Sequence, residues 1–195
     1  FKARGAINKL SYLSSDEKTR GVITASSGNH GLGVASGAKK LGIHATVYVP
    51  EYADRSKVQA IELEGAEVKP FGDDCVITES AARKNAEQSG KVYISPYNDL
   101  DVIAGQGTIG VELVQQIKQL DAVFVSVGGG GLISGIGAYL KEASPQTKVI
   151  ACSPSQSPAM HECMKAKKII DVACYPTLSD ATAGGVEEGA VTLNL

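Results

Sequence analysis

Short β-branched runs alternate along the chain with longer segments of helical period, and this alternation restricts the fold more than any other feature. The runs are GVITAS (21–26), HATVYVP (44–50), AEVKPFG (66–72), KVYISP (91–96), DAVFVSV (121–127) and KVIACSP (148–154). After the first comes GNHGLGVASGAKKLG, with Leu32, Val34, Ala35, Ala38 and Leu41 at helical spacing and Gly42 as its stop. DRSKVQAIELEG (54–65) follows, with Asp54 as a candidate cap. ITESAARKNAEQSG (77–90), GQGTIGVELVQQIK (105–118) and ISGIGAYLKEA (133–143) predict further helices. Thr78 opens the first of these with half a capping box, because Ala81 stands where a glutamate would complete it. Strand and helix in this order build βαβ units around a parallel sheet, so the predicted class is α/β. The run at 121–127 is apolar enough to be expected buried on both faces.

Ligand sites in such sheets open at the carboxyl ends of the strands. Two strand-to-helix junctions carry unusual chemistry there, and one is the four consecutive glycines Gly128 to Gly131. Without Cβ atoms in the way, successive N–H groups at a helix start suit an anion. The loop has no Lys or Arg and no GK[ST], which argues against nucleoside triphosphate hydrolysis. A close helix–sheet crossing also requires glycine, so both readings stand. The second junction is SSGNH (26–30), where Ser26, Ser27 and backbone amides offer donors for a carboxylate and Asn29 one for a phenolic oxygen. An ordinary N-cap with spare polar residues accounts for the same letters. Lys2 is either a solvated charge or an amine desolvated for Schiff-base chemistry. The GxGxxG at Gly105–Gly110 follows PYNDLDVIA instead of a strand tip. It is read as close packing at a helix start, not as a dinucleotide fingerprint.

Composition excludes several classes of partner. With 43% hydrophobic and 21% charged residues and a net charge of -2, the 195 residues describe a folded chain with no electrostatic pull toward nucleic acid or an anionic membrane. Cys75, Cys152, Cys163 and Cys174 form no CxxC and match no metal spacing, so they read as isolated thiols of a reducing, cytoplasmic compartment. The sequence holds no membrane-length apolar run, and no signal peptide is expected. KAKK (165–168) and HECMK read as a solvated helix beside a core thiol, because HECMK lacks the second His of a zinc motif. The chain opens on FKARGA without an initiator Met and stops at GAVTLNL, so a fragment of a longer protein is expected.

The ordered set FKARGA, SSGNHG, AGQGTIGVE and VGGGGLISG resembles the fold type II pyridoxal-phosphate enzymes (tryptophan synthase β-like), on the serine/threonine dehydratase (ammonia-lyase) and serine racemase branch. The resemblance runs over nearly the whole chain, and SDATAGGVEEGAVT (179–192) is similar to a dehydratase segment. It implies two parallel-sheet α/β domains with the cofactor between them. Residues 1–20 and 99–195 would form the large cofactor-binding domain, and 21–98 the small substrate-binding domain.

The same resemblance assigns roles. Lys2 would hold pyridoxal 5′-phosphate covalently and act as general base; Gly128, Gly129, Gly130 and Gly131, with the Leu132 amide, would cradle its phosphate. Asn29 would contact the pyridine 3-hydroxyl, and Ser26, Ser27, Gly28 and His30 would bind the substrate carboxylate. In racemases of the family the residue at Ser27 is a second base on the opposite face. Ser153 and Ala159 stand where racemase relatives carry metal-binding carboxylates, so no metal is expected; the partner of the pyridine nitrogen would lie beyond Leu195. The implied reaction turns a β-hydroxy amino acid such as L-threonine or L-serine into a 2-oxo acid and ammonia. Serine racemase is the alternative, a β-replacing synthase ranks third, and the presence of Lys2 speaks against a non-catalytic binding protein. The expected partners are a small amino-acid substrate and further copies of the chain, as a homodimer or homotetramer.

Overall fold

Strands β1 (Val22–Ala25), β2 (Ala45–Val49), β3 (Glu67–Pro70) and β4 (Val92–Tyr93) pair in parallel in the order β3-β2-β1-β4. They belong to a computed structural model that describes residues 1–195. The chain divides into two compact units, Phe1–Pro96 and Tyr97–Leu195.

In the first unit both faces of the sheet are covered. Ile23 and Tyr48 pack against Ala82 and Ala86 of helix α5 (Cys75–Ser89). On the other face Val47 and Val49 meet Ala35 of α3 (Asn29–Leu41) and Ile61 of α4 (Arg55–Leu63). A strand buried on both faces has no need of polar alternation, which is why β1 and β2 read as unbroken apolar or β-branched runs. The predicted stops hold: Gly42 ends α3 in the left-handed region at φ 67, and Asp54 caps α4 through the Ser56 and Lys57 amides. Helix α5 starts earlier than its pattern suggested. Asp74 caps it by accepting from Ile77 N, while the Thr78 hydroxyl bonds back to the Phe71 and Asp74 carbonyls.

Ahead of the sheet lie α1 (Lys2–Tyr12) and α2 (Ser15–Arg20), the latter closed by a full capping box between Ser14 and Glu17. Helix α1 lies against α3 at two glycines. A Cβ on Gly37 would sit 2.9 Å from Leu10 Cδ1, and one on Gly33 only 3.1 Å from the Ala3 nitrogen. The backbone of α1 beside Lys2 therefore rests directly on α3. Residues 1–20 form part of the compact unit Phe1–Pro96.

The second unit holds α6 (Leu100–Gln116), β5 (Ala122–Ser126), α7 (Gly131–Ala143), β6 (Lys148–Cys152) and α8 (Ala159–Ala166), followed by 3-10 turns at Asp180–Thr182 and Val191–Asn194. Strands β5 and β6 pair in parallel, and Val125 packs with Ile136 and Leu140 of α7. Strand β5 is not buried on both sides, as its composition suggested. Phe124 is 71% exposed, because within this unit the helices pack on the face that carries Val123 and Val125. The GxGxxG lies inside α6, past its start at the Asp99 cap, and serves the crossing with α7. There a Cβ on Gly107 would come within 2.9 Å of Gly135 O, and one on Gly135 would collide with Ile103 O. Cys163 is the expected core thiol, fully buried and accepting from the Ile170 amide.

Candidate active site

Each unit carries one cluster of the residues singled out from the sequence. In the first, Lys2 opens α1 and its Nζ donates to Pro96 O at 2.8 Å, beyond the end of β4. Burial pushes the amine down from the ordinary 10.5 to about 8. No carboxylate contributes to that shift, so nothing holds the ammonium form by opposite charge.

His30 lies in the first turn of α3 and is 3% exposed. Its Nε2 donates to Ile94 O at 3.0 Å, which leaves Nδ1 as an unprotonated acceptor, buried without a partner. Burial first, and the Lys2 charge second, push the imidazole down to about 4 against the raising effect of the Ile94 carbonyl. Thr24 Oγ1 donates to the same carbonyl at 2.8 Å. The segment Ile94–Pro96, which presents the acceptor for Lys2, is thus pinned from β1 and from α3.

Around His30, Ser26 Oγ accepts from Gly28 N at 3.2 Å, Ser27 and Gly28 are half-buried, and Asn29 is exposed as the first residue of α3. Gly31 has a packing reason of its own, since a Cβ there would strike Ser26 O.

In the second unit the four glycines run from the end of β5 into α7. Gly130 takes φ +87, and a Cβ there would lie 2.9 Å from Thr192 Cβ. A Cβ on Gly129 would lie 2.5 Å from three atoms of the Tyr97 ring, and one on Gly131 2.8 Å from Tyr97 Cβ. Gly128 rests on Thr182, and Thr192 Oγ1 donates to Gly129 O at 2.7 Å. One side of the loop is therefore sealed by Tyr97, Thr182 and Thr192. Leu132, just inside α7, packs into the Val125–Ile136–Leu140 cluster. The remaining two positions weighed in the sequence fall elsewhere: Ser153 is exposed after β6, and Ala159 is buried at the start of α8.

Helix caps separate these two junctions from four other helix starts, while α1 and α8 also begin without a side-chain cap. Helices α2, α4, α5 and α6 are capped by Ser14, Asp54, Asp74 and Asp99. Helices α3 and α7 begin on Gly28 and Gly130 with no side-chain cap and no acidic residue in the first turn. Their leading amides face outward with positive partial charge, the requirement of an anion site. The first unit holds a desolvated primary amine at Lys2, and the second holds a glycine-lined, uncapped helix start suited to an anion.

A family model described as pyridoxal-phosphate dependent enzyme matches residues 1–195. The chain belongs to that family. It is 42% identical to the L-threonine ammonia-lyase of Thermotoga maritima over 183 residues, which cover 94% of this chain and 46% of the relative. Its fold matches threonine deaminase isoform 2 from Solanum lycopersicum with a TM-score of 0.93 at 36% identity, covering 98% of this chain and 56% of that one. Maize serine racemase matches with a TM-score of 0.91 at 32% identity, covering 98% and 58%. The chain thus spans about half the length of the relatives it matches. The fold is that of the fold type II pyridoxal-phosphate enzymes, and no helix is long and apolar enough to cross a membrane.

Sequence reasoning missed the surroundings of the two clusters. Pro96 O and Ile94 O are backbone acceptors, which no residue type announces. Thr24 was hidden in a strand run, and Tyr97 stood in PYND, noticed only for failing to be a strand tip.

Proposed function

We propose that this chain carries the cofactor- and substrate-binding elements of a pyridoxal-phosphate-dependent ammonia-lyase acting on a β-hydroxy amino acid, L-threonine or L-serine. The observation that carries the proposal is Lys2: a partly buried amine, pushed down to about 8, held by a backbone carbonyl instead of a carboxylate. Similarity to a Thermotoga L-threonine ammonia-lyase supports the choice of reaction.

Lys2 would hold the aldehyde carbon of the cofactor, and the amides of Gly128 to Gly131 and Leu132 would receive its phosphate. When bound, pyridoxal phosphate supplies the electron sink for the pair left at the substrate Cα. The free Lys2 amine would take the substrate Cα proton at Nζ. An amine near 8 is neutral in about one molecule in five at physiological pH, against about one in a thousand for an ordinary lysine, and that neutral form is what the step requires. The uncapped start of α3, with Ser26, Ser27, Gly28 and the His30 backbone, would orient the substrate carboxylate, and Asn29 would meet the cofactor's 3-hydroxyl. The His30 ring has a different task. With Nε2 committed to Ile94 O, it holds the strand end that carries Pro96.

A cytoplasmic enzyme that assembles as a homodimer or homotetramer belongs to the same proposal; four free thiols support the reducing compartment. The racemase reading rests on Ser27, half-buried beside Gly28, and on the likeness to maize serine racemase. The test is oxo-acid formation by the full-length protein from threonine, serine, 3-hydroxyaspartate and phenylserine. Release of 2-oxobutanoate from threonine with ammonia supports the proposal, and absence of oxo acid from all four sinks it.

A further inference from the structure

Thr192 lies in the 3-10 turn Val191–Asn194 and is 7% exposed. Its hydroxyl donates to Gly129 O at 2.7 Å, and its Cβ occupies the space a side chain on Gly130 would need. The turn is fastened beside the same loop, since Val191 N donates to Asn98 Oδ1 at 2.9 Å and Glu187 N to Tyr97 Oη at 2.8 Å. Ser157 Oγ holds the Gly184 amide at 3.0 Å. The segment from about Thr182 to Thr192 is therefore a strap across the outer side of the glycine loop.

A peptide unit is planar and trans, so the carbonyl of Gly129 and the N–H of Gly130 point in opposite directions from one rigid plane. Fixing Gly129 O fixes Gly130 N–H. Four glycines in a row have little preference of their own, and an unfixed peptide plane here could rotate its donor away from the anion. The Tyr97 ring, against Gly129, limits the same plane sterically.

We propose that Thr192 is a positioning residue for the cofactor phosphate: through its bond to Gly129 O it aims the Gly130 amide into the phosphate cradle. This rests on the reading that Gly128–Gly131 receive the phosphate.

The experiment compares pyridoxal 5′-phosphate with pyridoxal, which lacks the phosphate, in equilibrium titrations of the full-length apoprotein followed by cofactor absorbance. Thr192→Val removes the donor at nearly constant shape. It is expected to weaken pyridoxal phosphate roughly three- to tenfold, the loss of one hydrogen bond, with pyridoxal changed by less than about twofold. Thr192→Ser, which keeps the donor, is expected to bind like the parent. Thr192→Ala gives the same readout with less bulk if valine packs badly. Equal weakening of both ligands, no weakening of either, or a serine variant as weak as the valine one overturns the role of Thr192. A parent protein that binds pyridoxal as tightly as pyridoxal phosphate overturns the underlying phosphate reading instead.

Discussion

Lys2 Nζ and Pro96 O meet at 2.8 Å although 94 residues separate them in sequence. The contact joins the first turn of α1 to the segment after β4. The same segment is fixed one step back by two donors on one acceptor, Thr24 Oγ1 and His30 Nε2 on Ile94 O. The amine thus rests on an acceptor that cannot titrate, while burial disfavours its charge. A carboxylate at that place would hold the ammonium form and leave no free amine at neutral pH.

The Lys2 amine should therefore be half neutral near pH 8, where an ordinary lysine is half neutral near 10.5. Competitive acylation of the apoprotein across pH, with each lysine quantified by mass spectrometry, reads this directly. A Lys2 midpoint above about 10 would contradict the desolvated site. The linkage has a definite sign. Between pH 8 and 10.5 the unfolded chain binds the proton that the folded one has lost, so this group makes stability rise with pH across that window. Lys2→Ala should abolish covalent trapping of the cofactor by borohydride. A trapped adduct at another lysine would assign the attachment elsewhere.

His30 predicts behaviour on the acid side. Its imidazole is pushed down to about 4 when folded and titrates near 6.5 when unfolded, so the unfolded chain binds the extra proton between those values. Stability contributed by neutral His30 is complete above about pH 6.5 and is lost as pH falls toward 4. The loss is on the order of 3 kcal/mol. His30→Gln, which cannot titrate, should flatten that part of the urea-midpoint profile while lowering stability at neutral pH. An unchanged slope between pH 6.5 and 4 would show that other groups carry the acid response.

Much of this was legible in the sequence, for identifiable reasons. Strands β1 and β2 announced themselves because burial on both faces removes polar alternation, and Gly42 and Asp54 because helix ends have few chemical solutions. The absence of a capping side chain before α3 and α7 was present in the letters, as Gly28 and Gly130. Partners from distant segments were not. Thr192 on Gly129 O and Lys2 on Pro96 O depend on which loop returns to which, and both acceptors are backbone. Phe124 was misread because an apolar run does not reveal how many layers cover it within the unit.

Two glycines of α7 should respond in opposite ways to alanine. Gly135 faces α6, where a Cβ would collide with Ile103 O and lie 2.7 Å from Gly107 N. Both obstacles are backbone, so the helices must move apart, at a cost of about 2–4 kcal/mol. Gly137 has nothing within 4 Å, and alanine there gains helix propensity worth about 0.5–1 kcal/mol. Urea unfolding of both variants checks the pair. A tolerated Gly135→Ala would mean that the α6–α7 crossing is looser than its geometry shows.

Product stereochemistry separates the two reactions open to one proton abstraction. If Lys2 is the sole base at the substrate Cα, a proton leaves and returns on one face only, and the β-hydroxyl departs from that carbanion. L-Serine incubated with the full-length protein in deuterium oxide should then give pyruvate and ammonia, and any recovered serine should remain the L-enantiomer. Deuterium at Cα of recovered L-serine is compatible with this outcome, because the amine exchanges its proton with solvent. D-Serine carrying deuterium at Cα requires delivery from the opposite face, the place assigned to Ser27 in the racemase reading. Chiral chromatography with mass detection distinguishes these products. D-Serine formed at a rate comparable with pyruvate would overturn the lyase assignment in favour of a racemase with Lys2 and Ser27 as its two bases.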